Sequence, residues 1–202
     1  MTLTAFSLAG HTILITGASS GIGRTISIRA SQMGARVVLL GRDMTRLDET
    51  LAMLDGKDHL SVSMDLLKLH EIESALTPLL KSTGPLHGFV HSAGMAPTVL
   101  LRDLDTDRTE YLMRLNWLSF MALSQAICRR GRYAPGLSVV ALASISALTG
   151  QVGLSAYAGT KGALIASVRS LASEYAPRGI RFNCISPCPV DTPMQRETRS
   201  RL

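Results

Sequence analysis

Tyr157 and Lys161 lie four residues apart in the stretch SAYAGTK, residues 155–161. On an α-helix this spacing puts both side chains on one face, so the Lys161 ammonium can approach the Tyr157 phenol. A nearby cation favours the phenolate and lowers a tyrosine pKa from about 10 toward neutrality, where the phenol can act as a general acid or base. The same spacing is also typical of solvated helix surfaces. The rest of the sequence must therefore show whether the two residues are a solvated surface pair or an acid/base site.

Predicted strands and helices alternate regularly along the chain. Short apolar runs, typical of buried strands, cover 11–16, 35–40, 59–64, 86–91, 137–144 and 180–186. Helical patterns lie between them at 21–33, 43–54, 67–82, 106–130 and 156–176. This alternation predicts an α/β fold, a doubly wound parallel sheet of about six strands in a single domain over residues 1–202. Pro85, Pro135 and Pro177 are expected in the breaks between elements.

A glycine-rich turn follows the first predicted strand in ILITGASSGIGR, residues 13–24. Gly17, Gly21 and Gly23 allow a tight turn and a close approach of backbone to a ligand. The helix that starts there offers free N–H groups and the positive end of its dipole to a diphosphate. The strand before and the helix after the turn favour a nucleotide site over a plain turn.

The glycine spacing resembles that of the short-chain dehydrogenases/reductases, whose motif reads Thr-Gly-x-x-x-Gly-x-Gly. Thr16, Gly17, Gly21 and Gly23 match it position by position. The resemblance implies a Rossmann-like fold that binds a nicotinamide cofactor and transfers a hydride between the cofactor and a carbonyl or alcohol. It also implies that Ser19, Ser20 and Ile22 line the diphosphate site.

The family resemblance also extends to the reacting residues. In the family, a serine lies thirteen positions before the tyrosine, and that count identifies Ser144, with Ser146 as the competitor. Asn116 matches an asparagine in the fourth helix, where a local bend lets it hold a water leading to the lysine. The resemblance implies that Tyr157 is the acid/base and Ser144 the carbonyl anchor. Lys161 would bind the nicotinamide ribose beside Tyr157 and depress the tyrosine pKa.

The end of the second strand indicates which cofactor is used. A carboxylate there would bind the adenosine ribose and repel a 2′-phosphate, but the chain has Gly41 followed by Arg42. A guanidinium suits a phosphate, so the sequence predicts NADP rather than NAD. The alternative is that Arg42 is a solvated loop residue.

Further cofactor contacts follow from the resemblance. They are Asp65 and Leu66 at the adenine, Ala93 and Gly94 after the fourth strand, and Pro187, Val190 and Thr192 at the nicotinamide amide and the diphosphate.

The chain also departs from the family pattern. His91 and Ser92 replace two asparagines, and His91 is either an acid/base or a structural histidine. Cys188 replaces a glycine and would be strained if that position requires a positive φ.

Composition excludes several other classes of protein. The formal net charge of +6 is spread along the chain, and 4% aromatic content disfavours a nucleic-acid surface. No apolar run could span a bilayer, and three scattered cysteines without a leader sequence predict a reduced, cytoplasmic protein without a structural zinc or other metal site.

The stretch after Met194 contains only QRETRSRL, whereas the family usually continues with lid helices and a seventh strand. We therefore expect the sixth strand to form an exposed edge and the substrate pocket to lack its usual roof. The predicted function is NADP(H)-dependent oxidoreduction of a small carbonyl or alcohol by a homodimer associating through helices 106–130 and 156–176. The alternative is a weakly active or inactive nucleotide-binding scaffold.

Overall fold

Six parallel strands form one sheet in the computed structural model, which describes residues 6–199. The strands are β1 (Thr12–Thr16), β2 (Arg36–Gly41), β3 (Leu60–Ser63), β4 (Leu86–His91), β5 (Tyr133–Leu142) and β6 (Arg181–Ile185). Their order across the sheet is β3-β2-β1-β4-β5-β6, and every neighbouring pair is parallel. The predicted doubly wound α/β fold is confirmed, with the strand order reversing direction between β1 and β4.

Helices connect the strands. They are α1 (Gly21–Gln32), α2 (Met44–Leu51), α3 (Ile72–Thr83), α4 (Thr106–Met113), α5 (Ser119–Ile127), α6 (Ser155–Tyr175) and α7 (Pro193–Arg199). The helix expected over 106–130 is interrupted by a turn of π-helix at Arg114–Leu118, which separates α4 from α5. Nothing in the sequence pattern predicted α7.

Helices cover both faces of the sheet, and the side chains of the central strands alternate between these two faces. In β1 and β2, Leu14 and Val38 join the larger apolar cluster beneath α3, α5 and α6, while Ile15 and Val37 join the cluster beneath α1 and α2. All four are fully buried. Successive residues of a strand point to opposite faces, so a strand covered on both sides must be apolar throughout.

Strand β5 begins earlier than predicted and contains Pro135. Leu86 pairs with Tyr133, but the next pair is Gly88 with Ser138, so β5 has extra residues at an irregularity. Proline has no N–H to donate to a sheet ladder and is tolerated at such bulges. The expectation that Pro135 separates two elements is therefore wrong.

Strands β3 and β6 are the two edges of the sheet. Among the described residues, β6 pairs only with β5. Within residues 6–199, no helix is both long and apolar enough to cross a membrane. The cytoplasmic location stays a prediction.

His91, the last residue of β4, is fully buried beside Phe89 and Phe120. The hydroxyl oxygen of Thr16 accepts hydrogen bonds from the N–H groups of Ser92 and Ala93, at 3.2 Å each. With both lone pairs in use, that hydroxyl donates its own proton to His91 Nδ1, 3.1 Å away. The imidazole therefore carries its proton on Nε2, an atom with no hydrogen-bond partner among the described residues.

This environment keeps His91 uncharged. Burial, and next the positive charge of Lys161, lower the His91 pKa from 6.5 to about 3, although the Asn116 backbone acts in the opposite direction. Protonation would also remove the acceptor that Thr16 uses. His91 is thus a structural histidine at the end of β4.

We expect His91 to make folding sensitive to acid. The unfolded chain binds a proton at His91 below pH about 6.5, whereas the folded chain does not bind it until about pH 3. The free energy of unfolding should therefore fall as the pH decreases through this window, with His91 contributing about 1.4 kcal/mol per pH unit. Urea unfolding of wild type and His91→Asn between pH 6.5 and 4.5 measures this difference in slope. The exposed His70→Asn variant is the control, and equal slopes for wild type and His91→Asn would contradict the assignment.

Candidate active site

Tyr157 and Lys161 lie in the first two turns of α6, next to the segment that follows β5. The Tyr157 side chain is half-buried, and the Lys161 ammonium nitrogen lies 5.7 Å from the centroid of its ring. Ser144, two residues beyond β5, is buried and interacts through its hydroxyl with Tyr157. The helical spacing and the strand end thus bring these three side chains together.

Lys161 is a buried cation held by the backbone. Its side chain is 5% exposed, and its ammonium donates a hydrogen bond of 2.7 Å to the Leu142 carbonyl at the end of β5. Burial penalises the charged form and lowers the Lys161 pKa to about 8. This lysine can therefore exchange a proton much nearer to neutral pH than an exposed lysine can.

The expected effect of Lys161 on Tyr157 is not seen. The Tyr157 pKa is raised, because burial disfavours the phenolate more than the Ser144 side chain stabilises it. The Lys161 ammonium lies over the tyrosine ring and is bonded to Leu142, and it is not among the causes of the shift. With these residues alone, the phenol stays protonated at neutral pH, contrary to the prediction.

Ser144 and Ser146 have different partners. Ser144 Oγ accepts from the Ser146 N–H at 3.1 Å and faces Tyr157. Ser146 Oγ donates instead to Gln151 Oε1 at 3.0 Å. Only the first of the two serines therefore has its hydroxyl beside the tyrosine.

Asn116 lies fully buried in the π-helical turn between α4 and α5. Its amide oxygen accepts from the Met95 N–H at 2.9 Å, and its amide nitrogen donates to the Met95 carbonyl at 2.9 Å and to Thr160 Oγ1 at 3.0 Å. The side chain thus joins the loop after β4 to the helix that carries Lys161. The predicted bend is present, whereas the predicted water-holding role stays a prediction.

Gly94 fits closely against this connection. A β-carbon at position 94 would lie 3.0 Å from Asn116 Oδ1 and 3.5 Å from Lys161 Nζ. A larger residue would therefore push the loop away from both groups.

The glycine loop packs directly on the end of β4. A β-carbon on Gly17 would lie 2.8 Å from the Ala93 nitrogen, and Gly17 has a φ of +65°. Ser20, which precedes α1, makes no side-chain cap, so the N–H groups of the first turn, at Gly21, Ile22 and Gly23, have no such partner. This uncapped helix start is suited to a diphosphate, so the residues fit a dinucleotide cofactor.

Two side chains that the sequence analysis did not single out fix the glycine loop. Arg24 donates to the Ser19 carbonyl at 2.7 Å and pairs with Glu49 at 2.9 Å. Thr50 Oγ1 donates to the Ala18 carbonyl at 3.0 Å. Their partners are 5 and 32 residues away, so no local pattern could reveal both contacts.

Arg42 follows β2 with an exposed guanidinium that makes no hydrogen bond or ion pair with any residue of the described chain. At the preceding position, a β-carbon on Gly41 would lie 3.2 Å from Leu47 Cδ2, so a side chain there would have to displace the end of Leu47. The loop after β2 thus presents a guanidinium that has no protein partner among the described residues.

Asp65 and Leu66 follow β3 and differ in the groups that a cofactor could contact. Asp65 Oδ1 accepts from the Leu67 N–H at 3.0 Å, and its other oxygen has no partner among the described residues. The Leu66 side chain is buried in the larger apolar cluster, so only its backbone could contact a cofactor.

The segment after β6 reaches back to the glycine loop. Thr192 lies within 3.3 Å of the site of a β-carbon on Gly21, and the Pro187 carbonyl accepts from the Ile145 N–H at 3.1 Å. Val190, between them, is exposed. Cys188 does not have a positive φ, so the backbone strain considered for this position is absent.

Comparisons with known proteins agree with this geometry. A model of the short chain dehydrogenase family matches residues 11–202. Carbonyl reductase family member 4 of Danio rerio is 32% identical over 181 residues, or 90% of this chain and 76% of the relative. The 3-oxoacyl-[acyl-carrier-protein] reductase of Mus musculus is 32% identical over 185 residues, or 92% of this chain and 78% of the relative.

Solved structures share the fold. A putative short chain dehydrogenase from Escherichia coli CFT073, complexed with NADPH, superposes with a TM-score of 0.90 at 26% identity, covering 98% of this chain and 85% of the other. A single-residue variant of the actinorhodin polyketide ketoreductase with NADPH gives a TM-score of 0.87 at 25% identity, covering 100% of this chain and 77% of the other. The family match over nearly the whole chain, together with the fold, means that this chain belongs to the short-chain dehydrogenases/reductases, a family of NAD(P)-dependent oxidoreductases.

Proposed function

We propose that this chain reduces a small carbonyl compound with NADPH, or oxidises the corresponding alcohol, with Tyr157 as the general acid/base. The observation that carries the proposal is the grouping of Ser144, Tyr157 and Lys161 at the end of β5. The loop after β4 links this group to the glycine loop, because Gly94 packs against Lys161 and Ala93 against Gly17. Relatives named carbonyl reductase, 3-oxoacyl-[acyl-carrier-protein] reductase and polyketide ketoreductase support carbonyl reduction as the reaction class.

In this proposal the glycine loop holds the diphosphate, with Gly17, Ser19, Ser20, Gly21, Ile22 and Gly23 as its contacts. Arg42 binds the 2′-phosphate, and Asp65 accepts from the adenine amino group beside Leu66. The backbone at Ala93 and Gly94 approaches the cofactor closely, and Pro187, Val190 and Thr192 contact the nicotinamide amide and the diphosphate. The bound NADPH supplies the hydride. NADPH and NADP in the crystals of structural relatives support this choice over NAD.

The side chains then handle the proton. Ser144 donates a hydrogen bond to the substrate oxygen, and Tyr157 protonates that oxygen as charge develops on it. The raised Tyr157 pKa suits the reductive direction, because the phenol remains a proton donor at neutral pH. Lys161, with its pKa of about 8, can return a proton to the tyrosine. Its ammonium would also bind the ribose of the nicotinamide half. Asn116 fixes the loop after β4 in place beside Lys161 through its two hydrogen bonds to the Met95 backbone.

Replacing Tyr157 with Phe tests the mechanism. The variant keeps the ring that packs beneath Lys161 and loses the proton donor, so turnover of ketones by NADPH should fall by about 100- to 10,000-fold. NADPH affinity, measured by fluorescence, should change little. Tyr111→Phe, at a half-buried position of α4, is the matched control and should retain activity. Full activity in Tyr157→Phe would refute the mechanism, and NADPH binding by wild type without turnover of any carbonyl would favour the scaffold.

Replacing Arg42 with Ala tests the cofactor preference. Losing charge-assisted hydrogen bonds to a 2′-phosphate costs about 1.5–3 kcal/mol, so the Kd for NADPH should rise roughly 10- to 100-fold. The Kd for NADH, which lacks that phosphate, should stay within about twofold of wild type, because no bond is lost. Arg29→Ala, near the far end of α1, controls for the loss of one positive charge. A similar change for both cofactors would contradict the assignment of Arg42.

A further inference from the structure

The three loops that follow β4, β5 and β6 contain no charged residue over 92–101, 143–154 and 186–190. Charged residues make up 18% of the whole chain, so a stretch of this combined length without one is unusual. All three loops leave the carboxyl end of the sheet, the end at which Ser144 lies.

The same loops expose large apolar side chains, which we call the apolar rim. They are Met95, Leu100, Leu101, Leu148, Val152 and Val190. Val152 is 84% exposed, Leu101 79% and Leu148 63%, whereas side chains of this kind are usually buried. Exposed apolar residues grouped at one site mark a surface that binds an apolar partner.

Backbone hydrogen bonds fix these loops around the reacting residues. The Val99 N–H donates to the Gly153 carbonyl at 2.8 Å, which joins the loop after β4 to the loop after β5. The Ile145 N–H, next to Ser144, donates to the Pro187 carbonyl, which joins the loop after β5 to the loop after β6. The loops that carry the apolar rim are therefore joined to one another, and the loop after β6 is joined to the residue next to Ser144.

No cation in these loops could balance an anionic substrate. The nearest basic residue in sequence, Arg102, is paired with Asp103 at 3.5 Å. The Lys161 ammonium is buried and bonded to Leu142. A carboxylate or phosphate on the substrate would therefore meet no cation of its own within these three ranges, whereas an apolar group would gain from leaving water.

We propose that the substrate is an uncharged carbonyl compound with an extended alkyl or aryl substituent, and that the apolar rim binds this substituent. The inference rests on the proposed function, since it concerns the substrate of the same site. Leu148 and Val152 lie in the same loop as Ser144, and Met95 follows Gly94, which packs against Lys161, so we expect a substituent on the substrate to meet these side chains. A second copy of the chain covering the rim is the competing explanation.

A series of ketones with NADPH tests the proposal. From acetone through 2-butanone and 2-hexanone to 2-octanone, kcat/KM should rise by up to about fourfold per methylene. The anion 4-oxopentanoate has nearly the size of 2-hexanone and should react at least tenfold more slowly. A flat alkyl series, or a preference for 4-oxopentanoate, would overturn the proposal.

Two variants locate the effect. Leu148→Ser and Val152→Ser should each raise KM for 2-octanone several-fold while leaving KM for acetone and the Kd for NADPH unchanged. Met53→Ser, which replaces an exposed methionine in the loop after α2, is the control and should change none of these. If the two rim variants altered only the oligomeric state in gel filtration, the rim would be an interface between copies and the proposal would be wrong.

Measuring ketone binding without turnover tests this inference separately from the proposed function. Quenching of NADPH fluorescence in the Tyr157→Phe complex measures affinity for 2-octanone and 4-oxopentanoate without turnover. Tighter binding of 2-octanone supports the apolar site even if wild type reduces neither ketone, a result that would reject only the proposed reaction. Turnover combined with tighter binding of 4-oxopentanoate would reject the inference and keep the reaction.

Discussion

The buried amide of Asn116 is the connection on which the rest of the site depends. It pairs with both backbone polar groups of Met95 and with Thr160, so one side chain fixes the loop after β4 relative to α6. The π-helical turn makes this possible, because an extra residue in the turn changes which side chains face the sheet. Gly94 must remain small for the contact to form. A polar group buried without partners is costly, so the three bonds also hold the helix and loop in one arrangement.

Burial controls the protonation of the groups around this connection. It raises the pKa of Tyr157 and lowers the pKa values of Lys161 and His91, in each case favouring the neutral form. Neutral His91 is also required by its neighbours, since Thr16 needs an acceptor for its hydroxyl proton. The fold thus keeps His91 uncharged beside Lys161 and keeps the Tyr157 phenol protonated. A protonated phenol beside a lysine that can release its proton near neutral pH is what donating a proton to a substrate oxygen requires.

The carboxyl end of the sheet separates two kinds of surface. On the side of β1, β2 and β3, the uncapped start of α1, Arg42 and Asp65 offer backbone N–H groups and charged side chains. On the side of β4, β5 and β6, residues 92–101, 143–154 and 186–190 carry no charge and expose apolar side chains. In the function we propose, a charged dinucleotide and an uncharged substrate meet between them, at Tyr157 and Lys161. Sheets of this kind bind ligands at the point where the strand order reverses, which in this chain lies between β1 and β4.

The sequence by itself determined the parallel sheet, the glycine turn at the start of α1 and the pairing of Tyr157 with Lys161. Each is a local pattern: alternating apolar runs, glycines at fixed spacing, and two residues one helical turn apart. Only the tertiary structure decided the bulge that accommodates Pro135 and the partners of Asn116. The same is true of the hydrogen bonds from Arg24 and Thr50 to carbonyls of the glycine loop. It also reversed the expected direction of the Tyr157 pKa shift, because a residue pair reveals its charges but not its burial. Contacts between distant segments and the loss of solvent depend on how the whole chain packs, and no local spacing records them.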